Sequence, residues 1–368
     1  MARKTNIEVN GHNYYRVTKV IGHKADGTAI RKSFYGAGIN EANEKANQYM
    51  NDIKSGMSLD YKVVTLHDLM KAWLFDVKLN ELKPSSFQSY EGIFRNYIVP
   101  SPIAGQLVSE IKSIQIQKFY NNLGKEKSYS VIKKINKLLK SFFIYAEAEG
   151  YIVKNPCNKL TIPNKIAKAE TEIEYFSEEE IQTLKETLKG HPLENLILLD
   201  FATGLRQGEL LALKWENIDL VNKRVNIKET IKKVYIFDSD GNKRQETVTS
   251  SPKTKNSIRI VDLPDNVVKM LKDMPRKSEY VFCNSNGLPF DSKYIFRNWQ
   301  KIMKETKLPY RKFHSIRHTY ASMLLLNGVD LKTVQDLMGH SDIAITQIYL
   351  HVLPKSKISA VNKLNYLF

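Results

Sequence analysis

FHSIRHTYASMLLLNGVDLKTVQDLMGHSDIAITQIY, residues 313–349, is the stretch from which the rest of the chain is read. His314 and Arg317 stand at i and i+3, so on a helix they share a face and can address one ligand together. Asn327-Gly328 is a helix stop and Asp330 a helix start, with the next helix over 332–338. Gly339 ends that helix in a left-handed conformation that a residue with a Cβ resists. Ser341 then caps a last helix that carries Tyr349. Three short helices thus deliver His314, Arg317, His340 and Tyr349. Such a set suits chemistry on a phosphodiester. The tyrosine supplies a nucleophile, the arginine compensates charge on non-bridging oxygens, and the histidines position groups and move protons. Taken singly, an HxxR pair is ordinarily a surface pair, and a tyrosine ordinarily packs in a core.

A second basic site changes the weighing. ATGLRQGEL, residues 202–210, carries Arg206 and Glu209, and Pro252-Lys253-Thr254 lies between it and the HxxR motif. This ordered series resembles the tyrosine recombinases, or lambda-integrase family, and within it the integrases of Gram-positive phages and conjugative transposons. The family pattern is an arginine in T-G-x-R-x-G-E-L, a lysine in a β-turn, then H-x-x-R, then G-H, then tyrosine. The five motifs stand in that order over the C-terminal half, and the spacing from His340 to Tyr349 fits as well.

The resemblance implies a catalytic set of Arg206, Lys253, His314, Arg317, His340 and Tyr349. Tyr349 becomes joined to a 3′ phosphate and releases a 5′ hydroxyl, which Lys253 protonates. Lys255 competes for that role, and the family's K-T pair aligns on Lys253. His314 accepts or orients the tyrosine proton, and His340 donates to a non-bridging oxygen. Glu209 orients a catalytic arginine or merely caps a helix. The covalent bond stores the cleaved linkage, so no metal, ATP or other cofactor is implied. The implied activity is site-specific recombination of double-stranded DNA at core and arm sites, integrating and excising a mobile element or prophage. A homotetramer would carry it out, with an excisionase and a host DNA-bending protein as candidate helpers. Two other readings stay open: a type IB topoisomerase, which swivels one strand, and a DNA-binding regulator without catalysis. The basic N-terminal module speaks against the first, and the complete set of motif positions against the second.

Composition agrees with a polyanionic partner. The 368 residues suggest two or three domains, and a formal net charge of +17 points to nucleic acid or an acidic membrane surface. No apolar run is long enough to span a bilayer, and the start lacks the apolar core of a signal peptide. The two cysteines, Cys157 and Cys283, lie far apart without metal-ligand spacing. A reducing bacterial cytoplasm, in association with the nucleoid, is the expected home. There is no glycine-rich phosphate loop.

In order, the chain reads as multidomain α+β. Asn10-Gly11 and Asp26-Gly27 separate strands over 7–9, 14–21 and 30–35, and a helix over 40–53 ends at Ser55-Gly56. This three-stranded sheet with one helix, 1–56, carries Arg16, Lys19, Arg31 and Lys32, either a solvated surface or a DNA face. The resemblance favours an arm-site DNA-binding domain. Four helices follow over 63–155, the fourth with Ile132, Ile135, Leu139, Phe142 and Phe143 for a core. Lys133, Lys137 and Lys140 form a stripe on it that suits a DNA backbone as well as solvent. The segment resembles the family's core-binding domain. Residues 156–174, with Pro156 and Pro163 and no apolar period, read as a linker. Ser177 and Glu180 make a capping box that opens a mainly α catalytic domain, 175–368, with a small antiparallel sheet. Its strands are expected over 225–227, 234–237, 247–249 and 258–261, with Asp240-Gly241 as a turn, and its tail, 355–368, docks on its own or a neighbouring subunit.

Overall fold

The computed structural model describes residues 7–9, 12–24, 26–164, 174–251 and 258–350. Two compact units make up the chain: residues 1–168 with 235–244, and residues 169–234 with 245–368. Among the described residues no helix is long and apolar enough to cross a membrane.

The first unit opens with an antiparallel sheet of β1 (Ile7–Val9), β2 (His12–His23) and β3 (Ala29–Gly36), backed by α1 (Ile39–Lys54). Alternation decides the faces, because successive side chains of a strand point to opposite sides. Phe34 is buried with Ala46, Tyr49 and Tyr61 in a small core, with Val17 packed against it. Arg16 pairs with Tyr35, Thr18 with Ser33 and Val20 with Arg31 on the opposite face. Residues after α1 complete this core: Tyr61 stacks on Tyr49, and the Tyr49 hydroxyl donates to the Leu59 carbonyl.

The helical part follows: α2 (Leu66–Ala72), a π-helical stretch (Trp73–Lys78), α3 (Leu79–Glu81), α4 (Pro84–Ile93) with a π-helical end (Phe94–Ile98), α5 (Ser113–Leu123) and α6 (Tyr129–Ala148). Thr65 starts α2 by accepting from the Asp68 N–H, and Pro84 stands in the first turn of α4, where no N–H is needed. Trp73 and Leu74 are buried together on the π-helical stretch, and Trp73 meets the edge of Phe142 from α6. Burying side chains of this size contributes roughly 1.5–3 kcal/mol each. Cys157, Leu160 and Ile162 pack on the same core, and so does Phe237, against Phe75 and Phe87.

The second unit begins with α7 (Glu178–Leu188), whose Ser177–Glu180 capping box is formed in both directions. The buried α8 (Glu194–Thr203) and the short α9 (Gln207–Leu211) come next. A sheet of β4 (Ile218–Asp219), β5 (Arg224–Ile227) and, after the hairpin strands β6 (Thr230–Phe237) and β7 (Lys243–Ser250), β8 (Arg259–Asp262) is antiparallel in the order β4-β5-β8. Helices α10 (Asp265–Asp273), α11 (Ser292–Glu305), α12 (Ser315–Leu326), α13 (Leu331–Met338) and α14 (Ala344–Gln347) complete it. Asp330 caps α13 and left-handed Gly339 closes it, both in line with the sequence. The last helix departs from expectation. Ser341 does not cap it; the Asp342 carboxylate accepts from the Ala344 N–H, and the helix stops at Gln347, leaving Tyr349 in the turn beyond.

Candidate active site

Arg206 owes its place to the end of α8. That helix is apolar nearly all round and is held in the core by Leu196, Ile197 and Leu199. It stops at Gly204, whose φ of 58° is left-handed; a Cβ there would lie 2.3 Å from the Tyr320 ring. The chain then turns outward through Leu205 to Arg206, the cap of α9. Glu209, on the first turn of α9, reaches back to the Arg206 N–H at 3.0 Å and takes the Arg206 guanidinium at 2.8 Å. It also binds Arg259 of β8 at 3.0 Å, and Glu209 is buried. Burial alone would raise its pKa; Arg259 first and then Arg206 outweigh this and hold the carboxyl below its ordinary value.

Arg206 Nη2 donates to the Gly339 carbonyl at 3.0 Å. Arg317, on the first turn of α12, is fully buried and donates to the Gly204 and Met338 carbonyls. Both guanidiniums therefore end on the turn that closes α13. Burial, with Arg206 and Arg259 nearby, lowers the Arg317 pKa to about 10, still charged at neutral pH. His340 continues that turn. Its Nε2 lies 3.0 Å from Arg317 Nη2 and its Nδ1 2.9 Å from Thr346 Oγ1. A guanidinium can only donate, so Nε2 accepts and Nδ1–H donates to Thr346. Burial, then Arg317 and Arg206, push the His340 pKa down to about 4. The sequence reading has His340 donating to a phosphate oxygen; in this arrangement it accepts from Arg317 instead.

Tyr349 is buried among Ala321, Leu325, Val334 and Met338. Burial raises its pKa, opposed by Arg317 and Arg206. Its hydroxyl pairs with His318 Nδ1 at 2.7 Å. His314 caps α12 one turn earlier, its ring edge-on to His318 with centroids 4.8 Å apart. Partial burial, followed by His318 and Arg317, lowers the His314 pKa to about 4.

Arg206, Glu209, His314, Arg317, His340 and Tyr349 thus fall into one hydrogen-bonded and ring-packed neighbourhood of the second unit. Lys253 and its competitor Lys255 lie outside the described residues, as does the tail. His318 and Arg259 went unread in the sequence. A signal for His318 was present, because it stands at i+4 from His314 on a helix already recognised. Arg259 gives none, since its partner Glu209 is remote in sequence. In the first unit Lys133, Lys137 and Lys140 are exposed along α6. Arg16 and Arg31 share the sheet face opposite α1, whereas the Lys32 ammonium lies over the Tyr49 ring, 4.4 Å from its centroid, on the helix side. Lys19 is paired with Lys32 in register and is exposed. No cluster of candidate metal ligands occurs among the described residues.

Comparison with known proteins places the chain among relatives of one family. Residues 174–356 match the phage integrase family model, and residues 65–124 match the phage integrase N-terminal SAM-like domain. A tyrosine recombinase XerC-like protein of Caldanaerobacter subterraneus subsp. tengcongensis is 48% identical, with all of both chains covered. A probable integrase of prophage ps2 in Lactococcus lactis is 28% identical over 81% of this chain and 82% of its own. The Tn1549 transposon integrase, solved in complex with a circular intermediate DNA, has the same fold at a TM-score of 0.66 and 18% identity, covering 81% of this chain and 99% of that one. A lambda integrase dimer bound to a core site aligns at a TM-score of 0.57 and 19% identity, covering 95% of each. With a relative at this identity over the whole of both chains, the chain belongs to the phage integrase family of tyrosine recombinases.

Proposed function

We propose that the protein is the integrase of a mobile element or prophage, cutting and rejoining double-stranded DNA at specific sites through a 3′-phosphotyrosine bond at Tyr349. The observation that carries this reading is the convergence of Arg206 and Arg317 on the Gly339 and Met338 carbonyls, on the turn that also holds His340. Attack on a phosphodiester spreads charge over the non-bridging oxygens, and guanidinium forks match phosphate oxygens without losing their charge. A phosphate can take over the donors that the Gly339 and Met338 carbonyls accept. Glu209 fixes the angle of Arg206, and His340 fixes Arg317. Lys253 gives the departing 5′ oxygen its proton, and the phosphotyrosine bond stores the cleaved linkage, so the reaction needs no metal or cofactor.

The outward sheet face with Arg16 and Arg31 suits an arm site, and the Lys133, Lys137 and Lys140 stripe suits the backbone of the core site. A lambda integrase has been solved as a tetramer on a Holliday junction. The same assembly is our reading here, with an excisionase and a host DNA-bending protein as helpers in the bacterial nucleoid. The test is supercoiled plasmid with and without the joined ends of the element that flanks the gene. The reading expects recombination only of plasmids that carry the site. Relaxation of both plasmids without strand exchange would instead identify a type IB topoisomerase, and binding without cleavage a regulator.

A further inference from the structure

We propose that His318 is the base that takes the phenolic proton of Tyr349. This rests on Tyr349 being the nucleophile. The geometry is direct: His318 Nδ1 lies 2.7 Å from the Tyr349 hydroxyl oxygen, hydrogen-bond distance for a proton transfer that needs no intervening water. Tyr349 is buried in the apolar cluster of α12 and α13, and His318 is half-buried on α12. No other hydrogen bond reaches the Tyr349 hydroxyl among the described residues. His314, the histidine that the family pattern points to, meets the His318 ring and so stands one group further away.

The surrounding charges favour this role once DNA is bound. Arg317 on the same helix acts on both members of the pair, and Arg206 from the turn after α8 acts on Tyr349; His314, its ring edge-on to His318, is the titratable neighbour. Burial and then Arg317 hold the His318 pKa below 6.5, so the imidazole is neutral and free to accept at neutral pH. Burial holds the Tyr349 pKa up, so the phenol keeps its proton until it reacts. A phosphodiester brings a negative charge beside Arg206 and Arg317 and removes part of the pressure of Arg317 against a histidinium at His318. The proton then moves from the phenol to Nδ1 as the Tyr349 oxygen bonds to phosphorus. The bond from phosphorus to the 5′ oxygen breaks, and that oxygen takes a proton from Lys253. On rejoining, the 5′ hydroxyl attacks and gives its proton back to Lys253, the bond from phosphorus to the Tyr349 oxygen breaks, and His318 returns its proton to that oxygen.

The experiment is single-turnover cleavage of a nicked duplex bearing the crossover site mapped from the DNA beside the gene. His318→Gln should bind this duplex as the wild type does and cleave it roughly 10²–10⁴-fold more slowly. The wild-type rate should fall as the solution is made acidic and the base is protonated, and the variant should lack that limb. Imidazole added to His318→Gly should restore part of the rate, which a merely structural role would not allow. A His318→Gln variant as fast as wild type, or faster, would overturn the proposal and make the contact a latch on a resting tyrosine. Tyr349→Phe is the separate control: an adduct from that variant would remove the nucleophile assignment itself.

Discussion

At the scale of single residues, the pairing of Arg317 with His340 has a consequence for pH. The folded-state pKa of His340 is about 4, lowered by burial and by Arg317 and Arg206, whereas an unfolded histidine titrates near 6.5. The unfolded chain therefore binds the proton more readily. This contribution to stability is fully present above about pH 6.5 and is lost as pH falls from there toward about 4, at no more than about 1.4 kcal/mol per pH unit. Urea midpoints measured over that range should show the loss in the wild type and a shallower one in His340→Gln; identical slopes would contradict it. The residue types of the site were legible because the motifs fix chemistry and order. Their partners were not. Whether a histidine donates or accepts depends on which fixed donor faces it, and Arg317 decides that for His340 only in three dimensions. Lys32 is a similar case: its charge is plain in the sequence, but its face depends on the register that sets it over Tyr49.

At the scale of elements, the turn at Gly204 joins the buried α8 to Arg206, and its carbonyl accepts from Arg317. Gly204→Ala puts a Cβ on a left-handed residue and into the Tyr320 ring. The backbone alone should cost about 1–2 kcal/mol, and displacing the ring more. Denaturant unfolding should register the loss together with reduced DNA cleavage, and unchanged stability would show that the turn relaxes freely. Turn and cap signals made most elements legible: Asp26-Gly27, Ser177 with Glu180, Asp330 and Gly339 each act locally. The π-helical stretches at Trp73–Lys78 and Phe94–Ile98 carry no signal that sets them apart from ordinary helix in the sequence; each buries two adjoining or near side chains in the core, Trp73 with Leu74 and Phe94 with Ile98. Strand β4 is two residues long and shows no alternation to detect. The start of α14 was misplaced because Asp342 offers a cap one residue beyond Ser341.

At the scale of the whole molecule, the formal charge of +17 includes basic residues on the sheet face of Arg16 and Arg31, on the α6 stripe and at the site itself. The N-terminal core closes only at Tyr61, whose ring stacks on Tyr49 and whose hydroxyl donates to Asp52. A fragment beginning at Val63 removes the buried residues of that core together and leaves only Tyr151 from its edge, where a cut at Leu59 would leave Tyr61 without its partners. The fragment should still cleave a core-site duplex and should fail to integrate a full attachment site that includes the arms. Full integration by the fragment would contradict an arm-binding role for the sheet.

The central claim is that Tyr349 bonds to DNA, and a denaturing gel of protein incubated with a nicked core-site duplex tests it most directly. Wild type should give a covalent protein–DNA band at the 3′ phosphate. Tyr349→Phe, which loses one oxygen and keeps Arg206, Arg317 and His340, should bind the duplex equally well and give none. A covalent band from the Phe variant would place the nucleophile elsewhere and contradict the account.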